Sequence, residues 1–127
     1  MDQLKRNSLV LAALVLCLGL TACHSPFVQT SIVNQTGSTV KLIEVDYPNA
    51  SFGTQQIAEN GTYHYHFQIQ GPGKVKISYT GAKNNIYKST GPELEKNQEG
   101  GLVITLEAGG KVTWTPTLKM AKTFFDW

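Results

Sequence analysis

The chain has 127 residues, with 11 lysines and arginines against 9 aspartates and glutamates, for a formal net charge of +2. A balance this close to neutral offers no support for nucleic-acid binding or for a polybasic membrane patch. Cys17 and Cys23 are the only cysteines, so stability has to come from a hydrophobic core rather than from a disulfide framework.

The chain begins with Lys5 and Arg6, continues with an apolar run over Leu9–Leu20, and closes that run on Leu20-Thr21-Ala22-Cys23. The run is about a dozen residues, well short of the ~20 that a membrane-crossing helix needs, and reads as the h-region of an export signal. The tetrad resembles the lipobox of bacterial lipoproteins, in which an apolar residue stands three before an obligatory cysteine and small residues fill the gap. The resemblance covers residues 1–23. It implies that 1–22 is a cleaved signal peptide and that Cys23 carries a thioether-linked diacylglycerol, usually with a third, amide-linked acyl chain. Each buried methylene contributes ~0.8 kcal/mol, so two or three chains hold a protein at a membrane where one is marginal. The alternative is a plain secretory signal with an incidental Cys23. Removing 22 of the 127 residues leaves 105, enough for one small domain, and takes Lys5, Arg6 and Asp2 with it, which lowers the formal charge from +2 to +1. Cys17 leaves too, so no disulfide can form within the mature chain. His24 rather than an aspartate follows the cysteine, which in Gram-negative lipoproteins favours delivery to the outer membrane. Residues 23–27 then form a short lipidated tether.

From residue 28 onward, period-two segments recur between glycine and asparagine turns, and no stretch keeps a helical period for three turns. Val28, Thr30 and Ile32 alternate over 28–34. A second strand is predicted over 39–47, where the apolar parity changes between Leu42 and Ile43, as at a β-bulge or a strand passing between sheets. Further strands are predicted over 52–57 and 62–70. In the latter, Tyr63, Tyr65, Phe67 and Ile69 share one face and Thr62, His64, His66 and Gln68 the other. The segment 74–80 repeats the pattern with Val75, Ile77 and Tyr79 inward. Odd-numbered apolar sets on both segments match a hairpin across the three residues Gly71-Pro72-Gly73, pairing His66 with Ser78 and Gln68 with Lys76. Glu59-Asn60-Gly61 is either a three-residue loop or an arch between sheets. Strands over 85–89, 101–107 and 111–118 complete the count. Across Ala108-Gly109-Gly110 the parity of Leu102, Ile104 and Leu106 matches Val112 and Trp114, and sets Glu107 opposite Lys111. Pro116 lacks an amide donor, so its strand belongs at a sheet edge.

Seven or eight short strands at this spacing predict an all-β fold, a small two-sheet sandwich of immunoglobulin-like architecture over 28–118, with a small β-barrel as the alternative. The cysteine and tryptophan spacing of antibody domains is absent.

Three features invite a chemical reading. His64 and His66, two apart on a strand, point the same way and could share a zinc or copper ion, although either metal needs further ligands. Without one they are two histidines on the wet face of a sheet. The segment Glu44–Gly53 gathers acids, aromatics and turn formers. In it Asp46, Tyr47, Asn49 and Phe52 form a candidate recognition loop, with Pro48 holding Tyr47 extended as a contact. Glu44 and Asp46 share a face, as general acid/base work would need, but no nucleophile with an adjacent base accompanies them. Asn34-Gln35-Thr36, Asn49-Ala50-Ser51 and Asn60-Gly61-Thr62 match the glycosylation sequon and read as turn chemistry behind a bacterial lipobox. Residues 93–99 read as a solvated acidic loop.

The segment 119–127 is apolar without a strand pattern, and Met120, Phe124 and Trp127 would share one helical face. Its aromatics are expected to pack over an open end of the sandwich, or else to dock on a partner protein or the lipid interface. The resulting expectation is a non-enzymatic envelope lipoprotein, anchored to the membrane through Cys23 and working by recognition or as an accessory subunit, with an envelope protein as partner. A periplasmic metal binder using His64 and His66 is the alternative, and a small hydrolase the third.

Overall fold

The computed structural model describes residues 25–122; the signal segment, Cys23, His24 and residues 123–127 lie outside the described residues. Eight strands follow in order: β1 (Val28–Gln35), β2 (Val40–Tyr47), β3 (Ala50–Ile57), β4 (Thr62–Phe67), β5 (Gly73–Thr80), β6 (Ile86–Leu94), β7 (Gln98–Glu107) and β8 (Val112–Met120). They form two four-stranded sheets, ordered β4-β1-β7-β8 and β3-β2-β5-β6. The sheets stay separate, so the fold is the two-sheet sandwich and not the barrel.

Alternation places the core. On the first sheet Val28, Ile32, Leu102, Ile104 and Leu106 are fully buried; on the second Val40, Ile43, Val45, Val75, Ile77 and Tyr79 face them. The parity change after Leu42 is a β-bulge: the β2–β5 register slips between Lys41 and Glu44, and Leu42 adopts φ 50° and points outward. Opposite the bulge, a Cβ on Gly53 would run into the Ile43 carbonyl oxygen, so the position requires glycine. Both long sides of the sandwich are stitched by side chains. Phe52 of β3 stacks on Tyr65 of β4 with centroids 4.2 Å apart, and the Trp114 indole of β8 donates to Ser89 Oγ of β6 at 2.9 Å.

The β7–β8 hairpin forms as its parity requires, with Leu106 opposite Val112, Ile104 opposite Trp114 and Leu102 opposite Pro116. Gly109 and Gly110 supply the positive φ of the turn, Glu107 N–H donates to the Lys111 carbonyl at 2.8 Å, and the two side chains pair at 3.6 Å. Pro116 sits on an edge strand.

The hairpin across Gly71-Pro72-Gly73 does not form. β4 pairs with β1, setting Ser31 opposite His64 and Gln29 opposite His66, while β5 lies in the other sheet between β2 and β6. The pairs His66–Ser78 and Gln68–Lys76 are therefore replaced. Parity dictates which residues face inward, and an arch across the sandwich satisfies that as well as a hairpin does. β4 ends at Phe67, and Gln68–Pro72 cross between the sheets with Ile69 still buried. The Ala58–Gly61 connection is likewise an arch. The acidic segment is mostly strand: β6 and β7 extend through it because Leu94 is a fully buried inward residue, leaving Glu95–Asn97 as the turn.

Asn34, the last inward residue of β1, is fully buried and ties this region together. Its Nδ2 donates to the carbonyls of Ser38, Ile57 and Ala58 at 2.8, 3.0 and 3.1 Å, and its Oδ1 accepts from the Thr36 N–H and hydroxyl at 3.0 and 2.7 Å. One side chain thus holds both the β1–β2 turn and the arch.

Candidate functional site

His64 and His66 lie on the outer face of edge strand β4. Ser31 Oγ is 3.0 Å from His64 Nδ1, and the His66 ring meets Phe27 edge-on at 5.4 Å. The pairing with β1 surrounds them with Gln29, Ser31 and Phe27 instead of Lys76, Ser78 and Thr80. Lys76, which the hairpin register would have set one pair along, lies in the other sheet, yet among the described residues no group of three His, Cys, Asp or Glu side chains comes together. Two imidazoles and a hydroxyl make an incomplete set for zinc or copper.

The proposed recognition loop is a two-residue turn. Pro48 and Asn49, the latter at φ 68°, join Tyr47 directly to Ala50, so both strands keep their pleat to the turn itself. That parity sends Tyr47 inward with Val45. Its ring packs on Phe67 at 4.2 Å, and Phe52, 7% exposed, lies 5.7 Å from Phe67. Tyr47 and Phe52 therefore cap the core at this end of the sandwich and are not displayed contacts. Asp46 and Glu44 point outward, and Asn49 stays exposed at the turn. The hydrogen bond that the protonated Glu44 carboxyl donates to Asp46, reinforced by the Asp46 charge, holds Glu44 above its ordinary range.

The opposite end carries a cleft of about 290 Å³ that no linear motif announced. Three connections meet there: β1–β2, β5–β6 and β7–β8. Thr36, Ser38, Lys83, Asn85, Tyr87 and Glu107 line it. Tyr87 is wedged in place, since a Cβ on Gly81 would approach its ring to 2.8 Å and one on Gly110 would collide with it outright. Tyr79 forms part of the wall 5.4 Å from the Tyr87 ring; its buried hydroxyl has no hydrogen-bond partner, and burial, then Tyr87, raises its pKa. The inward direction of Tyr79 follows from parity, but the cleft draws on turns as far apart as Thr36 and Gly110, which one-dimensional patterning does not connect. Because the Tyr79 hydroxyl is desolvated without compensation, Tyr79→Phe should leave stability unchanged or raise it by about 1 kcal/mol, read as the urea midpoint. A loss above that size would reveal a bond the hydroxyl makes.

No protein-family model and no curated protein matches the chain. Among solved structures it is similar to the NMR structure of a protein from Eubacterium rectale, with a TM-score of 0.52 and 14% identity over 79% of this chain and 93% of that one. At that identity the likeness concerns the fold alone.

Proposed function

We propose that this chain is a lipid-anchored domain of the bacterial cell envelope, held by Cys23 and acting by recognition rather than catalysis, at the outer membrane if the host is Gram-negative. The observation that best supports it is the polarity of the sandwich. β1 starts at Val28, five residues beyond the tether's Cys23, and runs its eight residues, ~25 Å, toward the cleft. An anchor at Cys23 therefore leaves the cleft facing away from the membrane. Its hydroxyl, amide and tyrosine groups suit hydrogen bonding and stacking with a partner.

Metabolic labelling with a clickable fatty acid tests the anchor: the natural chain should take up label, and Cys23→Ser should lose it and accumulate the unprocessed precursor. Label retained in the variant would overturn the assignment. In the same cells, Lys83→Ala with Asn85→Ala should reduce recovery of an envelope partner without lowering the melting temperature. Unchanged recovery would remove the cleft from the proposal.

A further inference from the structure

We infer that the end of the sandwich from which both termini leave rests directly on the lipid surface, with Phe27 and Met120 among the headgroups; this builds on the anchor reading above. β7 runs parallel to β1 and away from that end, and β8 returns antiparallel to it, finishing at Met120 opposite Gln98. The Ala121 N–H then donates to the Asn97 carbonyl at 2.7 Å, which keeps the departing chain on this end. Entry and exit therefore share one face.

That face carries exposed apolar side chains that the core does not need. Phe27 is 44% exposed and Met120 54%. Phe27 borders the same hollow as Lys119, the residue before Met120. Phe27 lies four residues after Cys23, so it sits at most ~14 Å from the acylated atom even with the chain fully extended. A headgroup layer is within that reach.

Closure of an open core is not what this end requires. Phe67 is 3% exposed with Tyr47 and Phe52 packed on its ring, and Ile69 is 2% exposed, so the core here is already covered. Nor is the contact electrostatic. Across the ladders Lys74 stands opposite Glu93 and Lys119 opposite Glu99, so the signs pair at this end. An apolar contact of this kind is indifferent to lipid charge.

The test uses the full, processed chain, its acylation verified by mass, in phosphatidylcholine vesicles with and without phosphatidylglycerol. A nitroxide is placed at Lys119→Cys and, as a control at the far end, at Ala108→Cys. Collisions with a water-soluble nickel complex should be lost at position 119 and retained at 108, equally in both lipids, and Phe27→Ser with Met120→Ser should restore them at 119. An acylated chain whose 119 label stays as accessible as the 108 label overturns the docked end alone. Shielding that appears only with the anionic lipid overturns the apolar contact. An unacylated chain overturns the anchor reading and this inference with it.

Discussion

Asn34→Ala should cost the domain about 3–5 kcal/mol, a large share of the ~5–15 kcal/mol that holds a domain together. The asparagine occupies a fully buried site where two amide hydrogens serve three backbone carbonyls and one oxygen serves two donors of Thr36. Alanine removes all of these at once, and each buried group left without a partner costs about 1–3 kcal/mol. Some carbonyls are left with a donor: the one Thr36 hydroxyl hydrogen, released from Asn34 Oδ1, serves the Ser38 carbonyl 2.9 Å away, and the Gly61 N–H donates to the Ala58 carbonyl at 2.9 Å. The estimate therefore stays below the sum of the separate bonds. Asn34→Asp should be as damaging, since a carboxylate cannot donate to the carbonyls that surround it. Urea unfolding monitored by tryptophan fluorescence measures both. A loss under about 1 kcal/mol for alanine would mean that the arch at Ala58–Gly61 is held by something else. The same burial explains why a sequon at Asn34 has no meaning as an acceptor site: its amide nitrogen is already committed inside the fold.

Phe67→Ala is expected to cost a comparable 3–5 kcal/mol, the range for truncating a buried phenylalanine and leaving a cavity behind. Phe67 is 3% exposed, and its ring supports Tyr47 at 4.2 Å and Phe52 at 5.7 Å, so its loss removes part of the surface on which both aromatic neighbours pack. The adjacent His66 supplies the contrast. It lies on the outer face of the same strand against Phe27, and His66→Ala should cost under about 1 kcal/mol. Chemical denaturation of the two variants side by side reads the pleat of β4 directly. Equal large losses would place His66 in the interior.

The lipobox-like start, the eight strands and the inward set of residues are properties of the sequence itself. A strand's pleat sends alternate side chains to opposite faces, so Val28, Thr30 and Ile32, or Val75, Ile77 and Tyr79, declare their side without knowing what lies across from them. Where a turn is short and its residues demand one geometry, as at Ala108-Gly109-Gly110, that local rule also settles the pairing, and the Leu106–Val112 and Ile104–Trp114 partners follow. Partner choice elsewhere belongs to the tertiary structure. Parity is the same whether Gly71-Pro72-Gly73 folds β5 back onto β4 or carries it across to the other sheet. The difference lies in the company β5 keeps between β2 and β6, and β4 beside β1. The parallel pairing of β1 with β7, about seventy residues later, leaves no trace in local pattern because parallel neighbours share no turn. Tyr47 and Phe52 looked like displayed aromatics beside a proline turn, and only the presence of Phe67 beneath them turns them into core. The cleft at Tyr87 and the shared exit face at Phe27 and Met120 have the same origin: each is assembled from segments that come together only when the two sheets pack, and sequence spacing carries no distance across that packing.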